Sequence, residues 1–331
     1  MPATDFKILF EQFNQLKVAI IGDVMLDTYW WGHTDRISPE APVPVVALDK
    51  KEQRVGGAAN VALNTASLGA ITTIISVIGN DEDANSLTGL LNGHQINTQY
   101  LLRTPDRITT NKTRIMSRNQ QMMRLDSENT HDISTELENQ LLESVQHYFE
   151  NDRPDVLIFE DYNKGVLTES LIAKLIALCQ KYSVVTTVDP KRKNFLSFKG
   201  VDIFKPNLKE VKEGLNLLIE KIDLGTLDQM HQALHNALGH HISFITLSEK
   251  GVFYQMQDEA KIIPTHVRNI ADVSGAGDTV IAVASLVYAA TRNMHLAADM
   301  ANIAGGLVCE EVGTAAINKQ LFLEECLLLL K

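Results

Sequence analysis

Apolar positions along the chain fall into short unbroken runs, and helix-length segments of mixed polarity separate them. Lys17 to Gly22 is the first such run, and a run without alternation is typical of a strand buried on both faces. Strands separated by helices predict a parallel, doubly wound α/β sheet flanked by helices. Further strands are predicted at 71–78, 156–160, 184–188, 201–204 and 242–247, with a short antiparallel addition at 252–256 and 261–264. Helices are predicted at 6–13, 56–68, 81–91, 137–149, 167–181, 227–238, 276–290, 296–309 and 320–330.

Residues 98–126 do not follow this alternation of strands and helices. Alternating polarity and β-branched residues at 109–117 and 122–126, around a turn at 118–120, predict a β-hairpin. Three prolines between Pro39 and Pro44 exclude a helix, and 43–48 is predicted to be a strand outside the main sheet. These segments together predict a small β-sheet, here called the lid, inserted into one domain that covers 1–331. No linker sequence marks a second domain.

Charge and cysteine content limit the partners and the cellular compartment that we expect. The net charge is −11, which argues against nucleic acid as a partner. The three cysteines are far apart and have neither metal nor redox spacing, which suits a reducing compartment. The N-terminus does not resemble a signal peptide, and no apolar run approaches the roughly 20 residues that span a bilayer. We therefore expect a cytoplasmic protein without a membrane partner.

Polar clusters follow successive predicted strands. Because ligands of open α/β sheets bind at the carboxyl ends of the strands, these clusters are expected to share one edge. Asp23 and Asp27 follow the first strand, where ligand binding and simple turn formation are equally good interpretations. The later clusters are 161–165, 189–193, 205–210 and 248–251.

The stretch from Asp272 to Thr279 carries the strongest chemical signal. Gly275, Ala276 and Gly277 lead into a predicted helix whose first N–H groups lack intrahelical partners and favour an anion. Asp278 at the mouth of such a site suits proton abstraction beside a phosphoryl group. A glycine-rich turn with an aspartate is also an ordinary helix cap, so the stretch alone does not decide.

Two weaker signals concern a substrate. Gly56 and Gly57 precede a helix in whose first turn Asn60 could reach a polyol, although a tight turn explains the glycines equally well. Cations are frequent in the predicted hairpin of this acidic protein. A phosphate clamp and a solvated strand face are equally good interpretations for Lys112 and Arg114.

Three motifs resemble the ribokinase family of carbohydrate kinases. They are 56–60 (Gly-Gly-Ala-Ala-Asn), the Asn-x-x-Glu element 207–210 and 272–279. A narrower similarity, to bacterial D-glycero-β-D-manno-heptose 7-phosphate kinases, rests on 22–27, 36–46 and 117–121. The motif at 56–60 is one residue shorter than the form common in the family, a feature that the heptose kinases share.

This resemblance implies a ribokinase-like fold and ATP-dependent phosphorylation of a heptose 7-phosphate at O1. Asp278 would be the base, and the N–H groups of 275–277 the anion hole. Asn207, Leu208, Lys209 and Glu210 would organise ATP, with Glu210 acting on Mg²⁺ through water. The remaining implied roles are nucleotide binding by Ser248, Gly251 and Asn302, and sugar binding by Asp23, Asp27, Gly56, Gly57 and Asn60.

A 7-phosphate needs a cationic site, for which Lys112, Arg114 and Arg118 on the lid are the candidates. Asp272 and Gly313 correspond to the family's monovalent-cation site, which a potassium ion would occupy. Relatives pair their lids, which implies a homodimer. Since the chain stops soon after the kinase pattern, we also expect no C-terminal adenylyltransferase domain.

Three other functions remain to be compared. Another sugar or nucleoside kinase of the same fold would not need the lid cations if its substrate carried no phosphate. A non-catalytic sugar- or nucleotide-binding regulator would not need an intact Asp278. A dinucleotide oxidoreductase would need Gly-x-Gly-x-x-Gly after the first strand, which residues 22–25 do not supply.

Overall fold

The computed structural model describes residues 5–118, 120–266 and 268–330. A large sheet and a small sheet carry its strands. The large sheet has nine strands. In spatial order they are β13 (Glu259–Ile263), β12 (Val252–Met256), β11 (Ile242–Thr246), β10 (Ile203–Phe204), β9 (Val185–Asp189), β8 (Val156–Glu160), β1 (Lys17–Gly22), β4 (Ile71–Ile78) and β5 (Asn97–Arg103).

The large sheet is parallel from β5 to β11, and β12 and β13 add antiparallel strands at one edge. This confirms the predicted doubly wound sheet and its antiparallel addition. Within β1, alternate residues enter different cores. Val18 and Ile20 pack into one apolar layer, and Ala19 and Ile21 into the other, which explains why the strand shows no polar face.

Helices cover both faces of the sheet. The layer with Val18 and Ile20 includes residues of α1, α2, α3, α8, α9 and α10, and the opposite layer includes residues of α4, α5, α6 and α7. Their bounds are α1 (Phe6–Gln12), α2 (Ala58–Ser67), α3 (Glu82–Gly93), α4 (Thr135–Asp152), α5 (Glu169–Tyr182), α6 (Leu208–Gly214), α7 (Leu224–Leu238), α8 (Ala276–Thr291), α9 (Met294–Val308) and α10 (Lys319–Leu329). Cys179, Cys309 and Cys326 are free thiols and buried. Among the described residues, no helix has the length and hydropathy to cross a bilayer.

The small sheet is the predicted lid. Its order is β3 (Pro44–Gly57), β2 (Val24–Ile37), β6 (Asn111–Ser117) and β7 (Gln120–Ser127), and only the β2–β6 pairing is parallel. The predicted hairpin of β6 and β7 is therefore confirmed, although Asn119 of its turn lies outside the described residues.

Three predictions about the lid need correction. The strand predicted at 43–48 continues to Gly57 and connects directly to α2. The strand β2 was not predicted, so Asp27 lies within the lid rather than in a turn after β1. The segment 98–126 does not belong wholly to the lid, because β5 pairs with β4 at the edge of the large sheet.

Candidate active site

Asp278 lies in the first turn of α8, at the carboxyl edge of the large sheet. The helix begins after Gly275, whose φ of +79° is left-handed, and a Cβ at this position would come within 2.8 Å of Nδ2 of Asn60. Glycine is therefore required here for both backbone conformation and space. The N–H groups at the start of α8 lack intrahelical partners, as an anion pocket requires, and that of Ala276 makes a long 3.3 Å bond to the carbonyl of Val273.

The carboxylate of Asp278 is held from two sides. Asn60 donates from Nδ2 to Oδ2 over 2.7 Å, and the hydroxyl of Tyr162 donates to Oδ1 over 2.8 Å. Burial raises the pKa of Asp278 to about 6, and the hydrogen bonds from Asn60 and Tyr162 oppose that rise. A fixed carboxylate with a pKa just below neutral is suited to accept a proton near pH 7.

Glu160 and Asp189 stand beside Asp278 and complete an acid cluster. Carboxyl oxygens of the three residues lie within 4.8 Å of one another. Asp189 pairs with Lys191 and Lys205, each at 2.8 Å. Glu160 is fully buried, and neither of its carboxyl oxygens has a hydrogen-bond partner among the described residues. Burial, followed by the charges of Asp189 and Asp278, raises the pKa of Glu160 well above its usual range.

Asn207 and Glu210 form a reciprocal cap at the start of α6. Oδ1 of Asn207 accepts from the N–H of Glu210 at 2.8 Å, and Oε2 of Glu210 accepts from the N–H of Asn207 at 2.7 Å. Oε1 of Glu210 lies 3.0 Å from Lys191, so this lysine connects the cap to the acid cluster. Leu208 is partly buried in the first turn of α6, whereas Lys209 is exposed and lies 3.7 Å from Glu213.

The three residues predicted for the nucleotide's ribose and base lie around the end of β13. Ser248 is exposed in a short 3₁₀ turn after β11, and Gly251 ends that turn. Nδ2 of Asn302, on α9, donates to the carbonyl of Pro264 at 2.8 Å. Asn302 thus fixes the segment that follows β13.

The lid presents a charged face toward this edge. Arg54, Asp27 and Lys112 lie in one row across β3, β2 and β6. Lys112 lies 5.4 Å from the centre of the Tyr162 ring, and Arg114 forms an ion pair with buried Asp27. These contacts bring the lid to the residues that hold Asp278.

Arg118 is separate from this group. Its side chain is 80% exposed and lies 4.0 Å from Asp35, which is near the end of β2. At about 3.3 Å per strand residue, it is roughly 20 Å along the lid from Lys112. The structure therefore brings Lys112 and Arg114 together and leaves Arg118 apart.

Asp23 serves the backbone. Its carboxylate accepts N–H groups from Tyr162, Lys164 and Val166 at 2.9–3.1 Å, and only 1% of the residue is exposed. These bonds shape the loop after β8 that carries Tyr162. Gly56 and Gly57 end β3 opposite Met25 and Val24 and lie beside Asp27 and Asp23, so all four predicted residues border the same corner.

Asp272 and Gly313, which the sequence assigned to one monovalent-cation site, lie in contact. Oδ2 of Asp272 accepts the N–H of Gly313 at 2.9 Å. Oδ1 accepts the N–H and the hydroxyl of Ser274 at 3.0 and 2.9 Å. The bonds of Asp272 connect the loop before α10 to the turn that precedes α8.

Sequence reasoning missed several residues of this site. Tyr162, Glu160, Lys191 and Lys205 were not singled out, and neither was Arg54 of the lid. The four residues of the large sheet stand at or just after the carboxyl end of a predicted strand, a signal that could have found them. Arg54 follows no such rule, because it lies inside a strand of the lid.

A buried carboxylate beside a helix N-terminus, at the edge of a doubly wound sheet and under a cationic lid, is typical of a kinase that phosphorylates a small hydroxyl compound. Residues 15–321 match the model of the pfkB family of carbohydrate kinases. The chain belongs to this family and is a sugar kinase.

One bacterial relative matches nearly the whole chain. The chain is 35% identical over 319 residues to the Bifunctional protein HldE of Geobacter sulfurreducens, a match that covers 96% of this chain and 64% of that protein. The chain thus spans less than two thirds of that relative's length.

Solved structures show the same fold. Phosphofructokinase-2 from Escherichia coli in complex with substrates and products aligns with a TM-score of 0.79 at 18% identity, covering 96% of this chain and all of the other. The same enzyme in complex with potassium aligns at 0.78 and 16% identity, covering 94% and 97%. The predicted ribokinase-like fold is confirmed.

Proposed function

We propose that this sugar kinase transfers the γ-phosphoryl group of ATP to O1 of D-glycero-β-D-manno-heptose 7-phosphate, giving the 1,7-bisphosphate. The single observation that carries the proposal is the fixed carboxylate of Asp278 at the N-terminus of α8, with Lys112 and Arg114 of the lid nearby. The sequence similarity at 22–27, 36–46 and 117–121 supports the heptose as the sugar.

The reaction needs a base and a place for negative charge. Asp278 takes the proton of the O1 hydroxyl as O1 attacks the γ-phosphorus and the bond from that phosphorus to the bridging oxygen of ADP breaks. The N–H groups of Gly275, Ala276 and Gly277 hold the charge that develops on the transferred group. Asn60 and Tyr162 keep the base oriented in every step.

Recognition of the 7-phosphate belongs to the lid. Arg114 uses one N–H group on Asp27, and its guanidinium has further donors for a phosphate. Lys112 supplies a second charge, 5.4 Å from the centre of the Tyr162 ring. Because Arg118 lies apart from this pair, we propose Lys112 and Arg114 as the phosphate ligands and leave Arg118 out.

ATP and Mg²⁺ are the proposed partners at the other side of the site. Mg²⁺ prefers oxygen ligands and retains waters, and when bound it would neutralise charge on the phosphates. Glu210 fits contact through water, because both of its carboxyl oxygens already have partners in Asn207 and Lys191. Asn207, Leu208, Lys209, Ser248, Gly251 and Asn302 would surround the nucleotide.

Two further proposals concern assembly and location. The outer lid strand β7 leaves three large apolar side chains exposed, namely Met122, Met123 and Leu125. Apolar residues on an edge strand favour a covering partner, which supports a homodimer that pairs its lids. The buried free thiols support a reducing, cytoplasmic location.

A phosphotransfer assay with a panel of sugars tests the proposal. Purified protein, ATP and Mg²⁺ are incubated with heptose 7-phosphate, unphosphorylated heptose, fructose 6-phosphate, ribose and adenosine. ADP release gives the rate, and ³¹P NMR locates the new phosphate. We expect the highest kcat/KM with heptose 7-phosphate and a product phosphorylated at O1.

The variant Asp278→Asn is the control for the base. It should lose turnover by about 10²–10⁴-fold while binding ATP with near-normal affinity in calorimetry. A preferred substrate without a phosphate would favour another sugar or nucleoside kinase. Sugar binding without transfer by the wild type would favour a non-catalytic regulator.

A further inference from the structure

Arg54 connects the lid to the loop before α10. From β3, its Nη1 atom donates to the carbonyl of Val312 at 2.7 Å and to that of Thr314 at 3.1 Å. Its Nε donates to Glu52 at 2.7 Å, and its guanidinium carbon lies 5.2 Å from the centre of the Tyr29 ring. A side chain of the lid therefore supplies a fixed positive charge to main-chain oxygens outside the lid.

The loop that Arg54 holds is bonded in turn to the anion pocket. Gly313, between the two bonded carbonyls, donates its N–H to Asp272, which accepts from Ser274 next to Gly275. Gly313 has a φ of +76°, and a Cβ there would come within 2.8 Å of Nη1 of Arg54. The chain of contacts is thus continuous and closely packed from the lid to the first turn of α8.

Four oxygens at this place already accept hydrogen bonds, and two of them accept from a cationic side chain. The carbonyls of Val312 and Thr314 accept from Arg54, and both oxygens of Asp272 accept protein N–H or O–H groups. A second cation would also lie beside the guanidinium and be repelled by it. Because the guanidinium of Arg54 already places a positive charge at these carbonyls, the residues around Asp272 and Gly313 fit a potassium ion poorly, contrary to the sequence expectation.

We propose that Arg54 is a positioning residue that stabilises the loop at Val312–Thr314 from the lid, so that phosphoryl transfer by this chain does not depend on a bound monovalent cation. The inference rests on the proposed function, because it assigns the anion pocket of α8 to phosphoryl transfer. It differs from a merely structural role in one respect: loss of the charge should create a potassium requirement.

The test compares cations at constant ionic strength. Kinase activity of the wild type is measured in potassium, sodium and tetramethylammonium chloride, and we expect kcat values that agree within about twofold. Arg54→Met, which keeps the aliphatic stem, should lose kcat by at least about tenfold in tetramethylammonium and regain part of it in potassium. Arg54→Lys should retain more activity than Arg54→Met without potassium, because it keeps the charge.

Arg124→Met is the matched control, since Arg124 is a lid arginine paired only with Asp126 among the described residues. It should behave as the wild type in all three salts. Strong potassium activation of the wild type, or an Arg54→Met protein as active as the wild type in tetramethylammonium, would overturn the proposal. The wild-type comparison needs no variant, so poor folding of Arg54→Met leaves the test intact.

Failure of the proposed function gives a different result. If the wild type phosphorylates no sugar in any salt, the function is wrong, and the same cations are compared for binding of a non-hydrolysable ATP analogue by calorimetry. Potassium-independent binding in the wild type, with potassium-dependent binding in Arg54→Met, would still support the role of Arg54. Potassium-dependent binding in the wild type would contradict it.

Discussion

The hydroxyl of Tyr162 donates a 2.8 Å hydrogen bond to Oδ1 of Asp278, although the two residues lie 116 positions apart in the chain. Tyr162 belongs to the loop after β8, which Asp23 fixes through three backbone N–H groups. The base on α8 is thus oriented by a side chain whose own loop is held by a carboxylate at the end of β1. Both the position and the pKa of Asp278 depend on this arrangement.

Tyr162→Phe should therefore change the pH dependence of catalysis. The hydrogen bond from Tyr162 lowers the pKa of Asp278, which burial raises to about 6, so its removal should raise that pKa further. The base works only when it is ionised. As the pH is lowered, the variant should therefore begin to lose activity at a higher pH than the wild type. We expect the acidic limb of the kcat/KM profile to move up by about half a unit or more, with kcat at pH 8 changed much less.

Tyr182→Phe is the control, because Tyr182 ends α5 outside the site. Its profile should overlay that of the wild type. A Tyr162→Phe profile that keeps the wild-type acidic limb would show that this hydrogen bond does not tune the base.

The sequence was sufficient for much of the fold. Buried strands such as β1 were recognisable because both of their faces are apolar, and the helix at α8 because small residues precede a long apolar segment. The strand β2 was missed because acids and aromatic residues at 23–32 obscure its alternation. Its pairing with β3 and β6 is a tertiary property that local pattern does not encode.

The site was only partly predictable, because the contacts between its residues are also a tertiary property. Asp278 and Asn60 were proposed from separate motifs, but their 2.7 Å contact follows from the packing of α2 against α8. Arg114 and Arg118 were both candidates for the phosphate, and the structure separates them because Arg114 lies in β6 beside Asp27, whereas Arg118 follows that strand and is exposed. The position of Glu160 at the end of a predicted strand was a signal for the site, but its raised pKa was not predictable, because that depends on burial and on the neighbouring carboxyls of Asp189 and Asp278.

Arg114→Ala should weaken binding of the sugar phosphate. The change removes a guanidinium that Asp27 orients, and it leaves that buried carboxylate without its cation. We expect KM for the phosphorylated sugar to rise by roughly tenfold or more, with little change in KM for ATP. Arg118→Ala removes an exposed lid arginine and should leave both constants near those of the wild type. An unchanged sugar KM in Arg114→Ala would place the phosphate elsewhere.

Glu160→Gln should increase stability at neutral and alkaline pH. The folded-state pKa of Glu160 lies well above its usual value, first through burial and then through Asp189 and Asp278. A raised folded-state pKa means that stability is highest below the unfolded pKa and is lost as pH rises toward the folded pKa. Glutamine fills the same space and does not titrate, so it removes that loss.

Urea unfolding between pH 5 and 8 measures this difference. The free energy of unfolding of Glu160→Gln, relative to the wild type, should grow with pH by at most about 1.4 kcal/mol per unit. Glu143→Gln changes an exposed acid of α4 and should show no such trend. A difference that stays constant with pH would mean that Glu160 is ionised in the folded protein.

A buried histidine pair predicts the opposite pH trend. Nε2 of His240 lies 2.6 Å from the hydroxyl of Ser243, and Nδ1 of His231 lies 2.8 Å from the same oxygen. Burial, followed by the charges of neighbouring histidines, lowers the pKa of His240 to about 3. The unfolded chain therefore binds a proton that the folded protein does not, from about pH 6.5 downward.

Since the folded-state pKa is depressed, His240 contributes no loss above pH 6.5 and destabilises the fold progressively as pH falls toward 3. Between pH 7.5 and 5 this loss should be about 2 kcal/mol. His240→Gln, which can still bond Ser243, should flatten the decline of unfolding free energy over that range. His94→Gln changes an exposed histidine at the end of α3 and should keep the wild-type slope. Parallel slopes for the wild type and His240→Gln would show that protonation of His240 does not drive the acid loss.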